Sequence, residues 1–251
     1  MGGRTDLEKS LEDLKGIDQG SYLTLQEGKN VFRILPAWTQ KGPYAGKFFF
    51  RAILHYGFTV DGRARAFPCL RMYDPQASCP ACAFVEALRE DGSKQALRIA
   101  SALRPQLRFY VNVINRKSQD PTPQIYGFRK KQMVELRSYL EDPDYGDITD
   151  PRNGRDVVIE KTGQGLKTRY SVRVKPKTSP IGVEGWEDKL HRLDKEVLDK
   201  IDEKTMEKYL VQTYGKLYSQ LMGLPVEKIE EEEEPEEEEQ DELEDEEEDE
   251  E

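Results

Sequence analysis

The stretch LRFYVNV, residues 107–113, decides the fold class. Side chains of two kinds alternate along it, the period of a β-strand whose successive side chains point to opposite faces. Leu107, Phe109, Val111 and Val113 make an apolar face suited to a core, and Arg108, Tyr110 and Asn112 make the other. Similar runs recur at 31–35, 48–55, 125–128, 156–160 and 169–174. Asp61-Gly62 and Asn153-Gly154 are turn signals between such runs. Helical stretches interrupt them at 82–89, 94–103 and 130–140. Short strands with inserted helices predict an α+β chain built on a small, partly open β-barrel rather than a doubly wound sheet.

The C-terminal third reads as two helices over 184–223. Trp186, Leu190, Leu193, Val197 and Ile201 repeat at helical spacing, and Met206, Tyr209, Leu210, Tyr214, Leu217 and Leu221 form a second stripe. Gly223 followed by Pro225 is a helix stop. Residues 1–20 predict a short helix with Leu7, Leu11 and Leu14 on one face. A helix that short is marginal alone in water, so it docks on its own core or on a neighbouring molecule. The organisation expected is an N-terminal segment at 1–20, a core at 21–223 and an acidic tail at 224–251, too charged to fold.

Charge divides the chain in the same place. The whole chain of 251 residues carries −11, residues 227–251 alone carry −19, and the first 226 residues therefore carry +8. A basic body with an acidic tail is the asymmetry of a nucleic-acid binder with a recruiting or regulatory tail, and it also fits a solubilising tail on an ordinary domain. No apolar run approaches the roughly 20 residues that span a bilayer. Residues 1–15 lack the apolar stretch of a secretory signal, and three cysteines do not close a disulfide framework, so an intracellular protein is expected.

All three cysteines and one of the two histidines fall between 55 and 82. His55, Cys69, Cys79 and Cys82 form H-x13-C-x9-C-x2-C, with Cys82 opening a helix. Three thiolates and one imidazole are a closed tetrahedral set, which predicts one structural zinc ion with no open position for water. C-x-x-C alone also fits a redox dithiol, but the third cysteine and the upstream histidine favour the metal. The segment between 56 and 81 is polar and loop-rich, and metal binding supplies folding free energy that such a segment lacks. His191 lies in a charged stretch and reads as a surface residue.

Binding of single-stranded nucleic acid needs a positive groove and flat side chains on which bases stack. Arg108, Tyr110 and Asn112 offer both on one strand face, and Arg169, Arg173 and Lys175 make a cationic face on another. Tyr126 and Phe128 lead into Arg129, Lys130 and Lys131. Solvated strand faces carry such cations too. No carboxylate cluster outside the tail has metal-site spacing, and no spare histidine has a base role, so no enzymatic activity is expected.

These pieces resemble, in order along nearly the whole chain, the single-stranded DNA-binding or helix-destabilising proteins of T-even-like bacteriophages. The resemblance is carried by VFRILP (31–36), HYGF (55–58), SCPAC (78–82), RFYVNVI (108–114), YGFRKK (126–131), YGKLYSQLMG (214–223) and the acidic tail. It implies an OB-fold core with a zinc subdomain at about 48–90 and a single-strand cleft between them. It implies cooperative coating of single-stranded DNA without sequence preference, in phage replication, recombination and repair inside the infected cell. The N-terminal segment would mediate self-association, and the tail would recruit replication and recombination proteins and compete with DNA. By position, His55, Cys69, Cys79 and Cys82 would hold the zinc. Arg108, Tyr110, Tyr126, Phe128, Arg129, Lys130 and Lys131 would sit in or near the cleft, and Arg33 and Asn112 complete the candidate contacts with Arg169, Arg173 and Lys175. The competing reading is a zinc-ribbon adaptor or chaperone-like protein whose acidic tail binds basic partners.

Overall fold

In the computed structural model, which describes residues 21–72, 74–197 and 201–224, six of the seven strands overlap the runs read from the sequence, and the strand at 63–68 was not anticipated. They are β1 (Gly28–Ile34), β2 (Phe49–Val60), β3 (Arg63–Pro68), β4 (Gln106–Asn115), β5 (Pro123–Arg129), β6 (Arg155–Thr162) and β7 (Arg169–Thr178). The helices are α1 (Pro80–Asp91), α2 (Lys94–Leu103), α3 (Lys130–Leu140), the short α4 (Leu193–Glu196) and α5 (Glu203–Leu221). The expectations for residues 1–20 and for the acidic tail beyond 224 lie outside the described residues. No helix among the described residues is long and apolar enough to cross a membrane.

The seven strands form one open, mostly antiparallel sheet in the order β3-β2-β4-β1-β6-β7, with β5 on β4. β4 is the hub. Its residues 106–111 pair with β2 and its residues 113–115 with β1, while 108–114 pair with β5. The overlaps put β5 on one edge of β4 and divide the other edge between β2 and β1. The sheet therefore forks into a β2–β3 branch and a β1–β6–β7 branch. β2 and β3 turn at the anticipated Asp61-Gly62, whose φ values of 50° and 69° are the left-handed pair of a tight hairpin.

Both faces of the sheet are covered at its centre, around β4. One packs on α3, joining Phe32, Val111, Phe128 and Val157 to Met133 and Leu136. The other lies under residues 35–44 and 181–197, with Trp38, Tyr110 and Leu193 in one cluster and Leu35, Ile114 and Trp186 in another. This corrects the reading of β4 as half-exposed. A central strand covered on both sides buries its polar face as well as its apolar one, and Tyr110, Asn112, Tyr126 and Phe128 are all buried. Asn112 is spent on structure: its amide donates to the His191 carbonyl at 3.1 Å and accepts the His191 N–H at 3.0 Å.

The stripe from Trp186 to Ile201 is not one helix. Its core contacts are real, but the backbone passes through a 3-10 turn at Glu187–Lys189, an extended Leu190 and the one-turn α4. The Asn112 bridge to His191 requires that extended geometry. α5 does form where the second stripe predicted it, with Met206, Leu210 and Tyr218 buried and a break at Gly215.

Arg33 is the second correction. It is 0 % exposed, so it is unavailable to a ligand. Its Nε lies 3.4 Å from Asp156 Oδ1, and its Nη2 donates to the backbone carbonyl and, at 2.7 Å, to the hydroxyl of Ser179. Asp156 also takes Arg116 at 2.9 Å and Lys175 at 3.4 Å. The neighbouring Gly154 must be glycine, because a β-carbon there would strike the Arg33 guanidinium and the Asp150 and Ile148 carbonyls.

Burial alone would raise the Asp156 carboxyl pKa, but Arg116, Arg33 and Lys175 outweigh it and hold the group below its ordinary value. A carboxylate whose folded pKa is depressed contributes stability above its unfolded pKa, about 3.9, and loses it as pH falls through the folded value. Asp156→Asn, which strands Arg33 in the core, is expected to cost about 3–5 kcal/mol in urea denaturation at pH 7. The difference from wild type should shrink below about pH 4. A loss under about 1 kcal/mol at pH 7 would put the pair in the range of a surface contact and remove it as a structural anchor.

Candidate functional site

The four metal-ligand candidates converge although they come from three separate segments. His55 lies in β2, Cys69 follows β3, Cys79 caps α1 and Cys82 sits in its first turn. All four are buried, and their ligand atoms lie within 4.8 Å of one another. Sγ of Cys69 is 4.0 Å from that of Cys79 and 3.7 Å from that of Cys82. Nε2 of His55 is 3.5 Å from Cys79 and 3.6 Å from Cys82. Bonds of about 2.3 Å to sulfur and 2.05 Å to nitrogen give tetrahedral edges of about 3.8 and 3.6 Å. The cluster can thus hold one metal ion.

The hydrogen bonding of His55 fits that use. Nδ1 of His55 is 2.7 Å from the Leu103 carbonyl and must carry the hydrogen, leaving Nε2 as the ligand atom. Burial opposes a charge on His55, but hydrogen bonds to Cys69, Cys79 and Leu103 outweigh it and raise the pKa to about 9. Hydrogen bonds from Cys69 and Cys82 favour the Cys79 thiolate and hold its pKa well down. The N-terminus of α1 adds a favourable field.

The metal lobe extends well beyond 48–90. Its core includes Leu103 from α2 and Met206, Leu210 and Tyr218 from α5. A bulge between His55 and Phe58 shifts the register of β2 against β3. The shift lets His55 and Phe58 both face the metal lobe while Tyr56 turns to the sheet. Gly57 makes this possible with φ of +92°, and the Tyr214 hydroxyl donates to its carbonyl at 2.7 Å.

A groove runs along β4, β5, the start of α3 and the β6–β7 hairpin, with Tyr56 and Arg104 at its edge. Three adjoining cavities of about 570, 470 and 530 Å³ all have Arg129 in their walls. Arg104, Arg108, Lys130 and Lys131 line one end. Tyr56, Tyr126, Lys161 and Tyr170 line the middle, and Arg169 with Ser171 the other end. Glu160 is the one carboxylate among these lining residues. The Arg108 guanidinium lies 5.0 Å from the centre of the Tyr56 ring, and that of Arg129 lies 5.1 Å from Tyr170. These cation–π contacts hold both arginines and both rings in place.

Of the candidates read from the sequence, Arg108, Arg129, Lys130, Lys131 and Arg169 meet in this groove. Tyr126 reaches its wall with a ring that is otherwise core. Tyr110, Asn112, Phe128 and Arg33 are interior residues. Arg173 is exposed farther along β7, and Lys175 is tied to Asp156. His191 is half-buried between Glu196 and the Pro123 carbonyl, away from the metal cluster. Tyr56, Tyr170, Lys161 and Arg104 escaped the sequence reading. Tyr170 alternates with Val172 and reads as core, and Tyr56 follows Phe50, Ala52 and Leu54 on the side of β2 opposite His55.

No protein-family model matches the chain, and no curated protein shows significant similarity to it. The metal geometry itself sets an expected outcome. Protein purified under reducing conditions without chelator should carry one metal ion per chain by elemental analysis. Stripping the ion, or Cys82→Ser, should lower the melting temperature by about 10 °C or more, since such ions contribute folding free energy directly. Melting that is unchanged after complete metal removal would sink this role.

Proposed function

We propose that the chain binds single-stranded nucleic acid in this groove without sequence preference and without bond-making chemistry. The observation that carries the reading is the pair of Arg–Tyr contacts inside a groove lined by cations. Phosphates are recognised by positive charge and bases by flat rings, and this groove places the two side by side. Only unpaired bases can expose a face to Tyr56 or Tyr170, which favours a single strand over a duplex. DNA rather than RNA rests on the sequence resemblance alone, since charge and stacking serve both. The open sheet around β4 is read as a relative of the OB-type barrel that the resemblance implies.

The ion in the Cys3His cluster is proposed to be zinc, which suits soft thiolates in a closed tetrahedral set. Its role is scaffolding: it anchors the lobe that carries Tyr56 and Arg104. On sequence grounds the proposal extends to the termini. Residues 1–20 would link neighbouring copies along the strand. The tail at −19 would recruit replication and recombination proteins and compete with the strand for the groove.

Fluorescence titration with a homopolymer should show saturable tyrosine and tryptophan quenching, with far weaker binding to a duplex of equal length. If about four to seven phosphates are neutralised, log K should fall with log salt at a slope of about −3 to −5. Arg129→Gln should flatten that slope by roughly 0.7, and Tyr170→Ala should cost about 1–3 kcal/mol. Equal affinity for duplex, or affinity indifferent to salt, would overturn the reading.

A further inference from the structure

Arg108 and Arg129 stand directly opposite each other in the β4–β5 ladder. Like charges in that relation repel and destabilise a sheet. Neither is paired with a carboxylate among the described residues. Each instead leans on a tyrosine ring, Arg108 on Tyr56 and Arg129 on Tyr170. Two facing guanidinium groups without a counter-ion, at the wall of a groove, leave a place for an anion.

A third donor points to the same place. Gln132 is 3 % exposed, and both ends of its amide are engaged. Its Oε1 accepts the backbone N–H of Arg129 at 2.8 Å, and its Nε2 donates to the Tyr126 hydroxyl at 3.0 Å. The first bond fixes which end is oxygen, because a backbone N–H can only donate. Tyr126 must then receive a hydrogen bond from Gln132 and direct its own proton elsewhere. No protein atom among the described residues accepts that proton. Gln132, Arg108 and Arg129 line the same cavity as Tyr126, and neither guanidinium nor the Gln132 amide nitrogen can accept that proton.

We propose that Tyr126 Oη, Arg108 and Arg129 form a seat for a phosphate oxyanion in the groove wall, with Gln132 as the positioning residue that holds the tyrosine as a donor. The seat rests on the single-strand reading for its natural occupant, a backbone phosphodiester. A free phosphate anion has the same chemistry and is the other source. The tyrosine contributes a neutral hydrogen bond and displaces no counter-ion of its own, so its loss should weaken binding without altering the salt dependence. That signature separates it from the arginines.

The test compares wild type with Tyr126→Phe, which keeps the ring contacts to Phe32 and Phe128. Binding of a fluorescent homopolymeric oligonucleotide is measured across a salt series, and binding of inorganic pyrophosphate by calorimetry. The expected result is an affinity for the strand about tenfold lower in the variant, with an unchanged salt slope and an unchanged melting temperature. Gln132→Glu serves as the second variant: its carboxylate would accept the Tyr126 proton, turn it inward and weaken strand binding as well. Equal affinity of both variants and wild type for the strand and for pyrophosphate would overturn the seat while leaving the single-strand reading intact. Strand binding absent, with pyrophosphate binding that is lost in Tyr126→Phe, would keep the seat for a free anion and sink the single-strand reading. Absence of both kinds of binding would sink both.

Discussion

One ladder of backbone hydrogen bonds joins the two halves of the molecule, from Phe49 opposite Val111 to Leu54 opposite Gln106. His55 comes immediately after its last rung. The strand that leaves the ladder thus enters the metal cluster within one residue and turns Tyr56 toward the groove in the next. Leu103, whose carbonyl orients His55, is followed two residues later by Pro105 and the start of β4. The metal lobe is tied to β4 at both ends of one short circuit. A groove wall built this way keeps its shape only while the circuit is closed, and the circuit closes through His55. Anything that loosens the cluster therefore acts on Tyr56 and Arg104 through few intervening bonds.

The surplus positive charge of the body is used in two different ways. Around Asp156, three cations share one carboxylate and hold the β1–β6–β7 branch to the segment at 179–181. Arg33 there is as cationic as any groove residue and contributes nothing to the surface. In the groove the cations have no carboxylate partners of that kind among the described residues, and Arg108 and Arg129 face each other at a cost. Like charges opposite each other destabilise a sheet, and readiness for an anion is the proposed compensation.

The sequence was most informative where a pattern is local. α2 and α3 occur at the residues their spacing predicted, and the metal ligands came from residue type and separation alone. It was least informative where a residue's surroundings come from a distant segment. Period-two reading separates the two faces of β4 correctly, but it cannot tell that Trp38, Trp186 and Leu193 close over the second face. Strand β3 was missed because its first three residues, Arg63 to Arg65, are exposed at a sheet edge and only Phe67 and Pro68 are buried. The stripe at 186–201 has helical spacing, yet its anchors are met by an irregular chain held by Asn112.

The fate of the amide side chains bears on what the groove can discriminate. Reading a base edge takes paired donors and acceptors at fixed geometry, for which glutamine and asparagine are the usual choice after arginine. Here Asn112 is committed to the His191 backbone, Gln132 to Arg129 and Tyr126, and Gln106 Oε1 to Arg108 at 3.0 Å. The two best-placed arginines lie against tyrosine rings, the disposition for a phosphate beside a stacked base and not for a bidentate grip on guanine. What remains free to touch a ligand is cationic charge, hydroxyl groups and ring faces. Every nucleotide offers a phosphate and a π-face, so on the proposed single-strand reading a surface with these contacts would hold any sequence about equally well, and its selectivity would fall on strandedness instead.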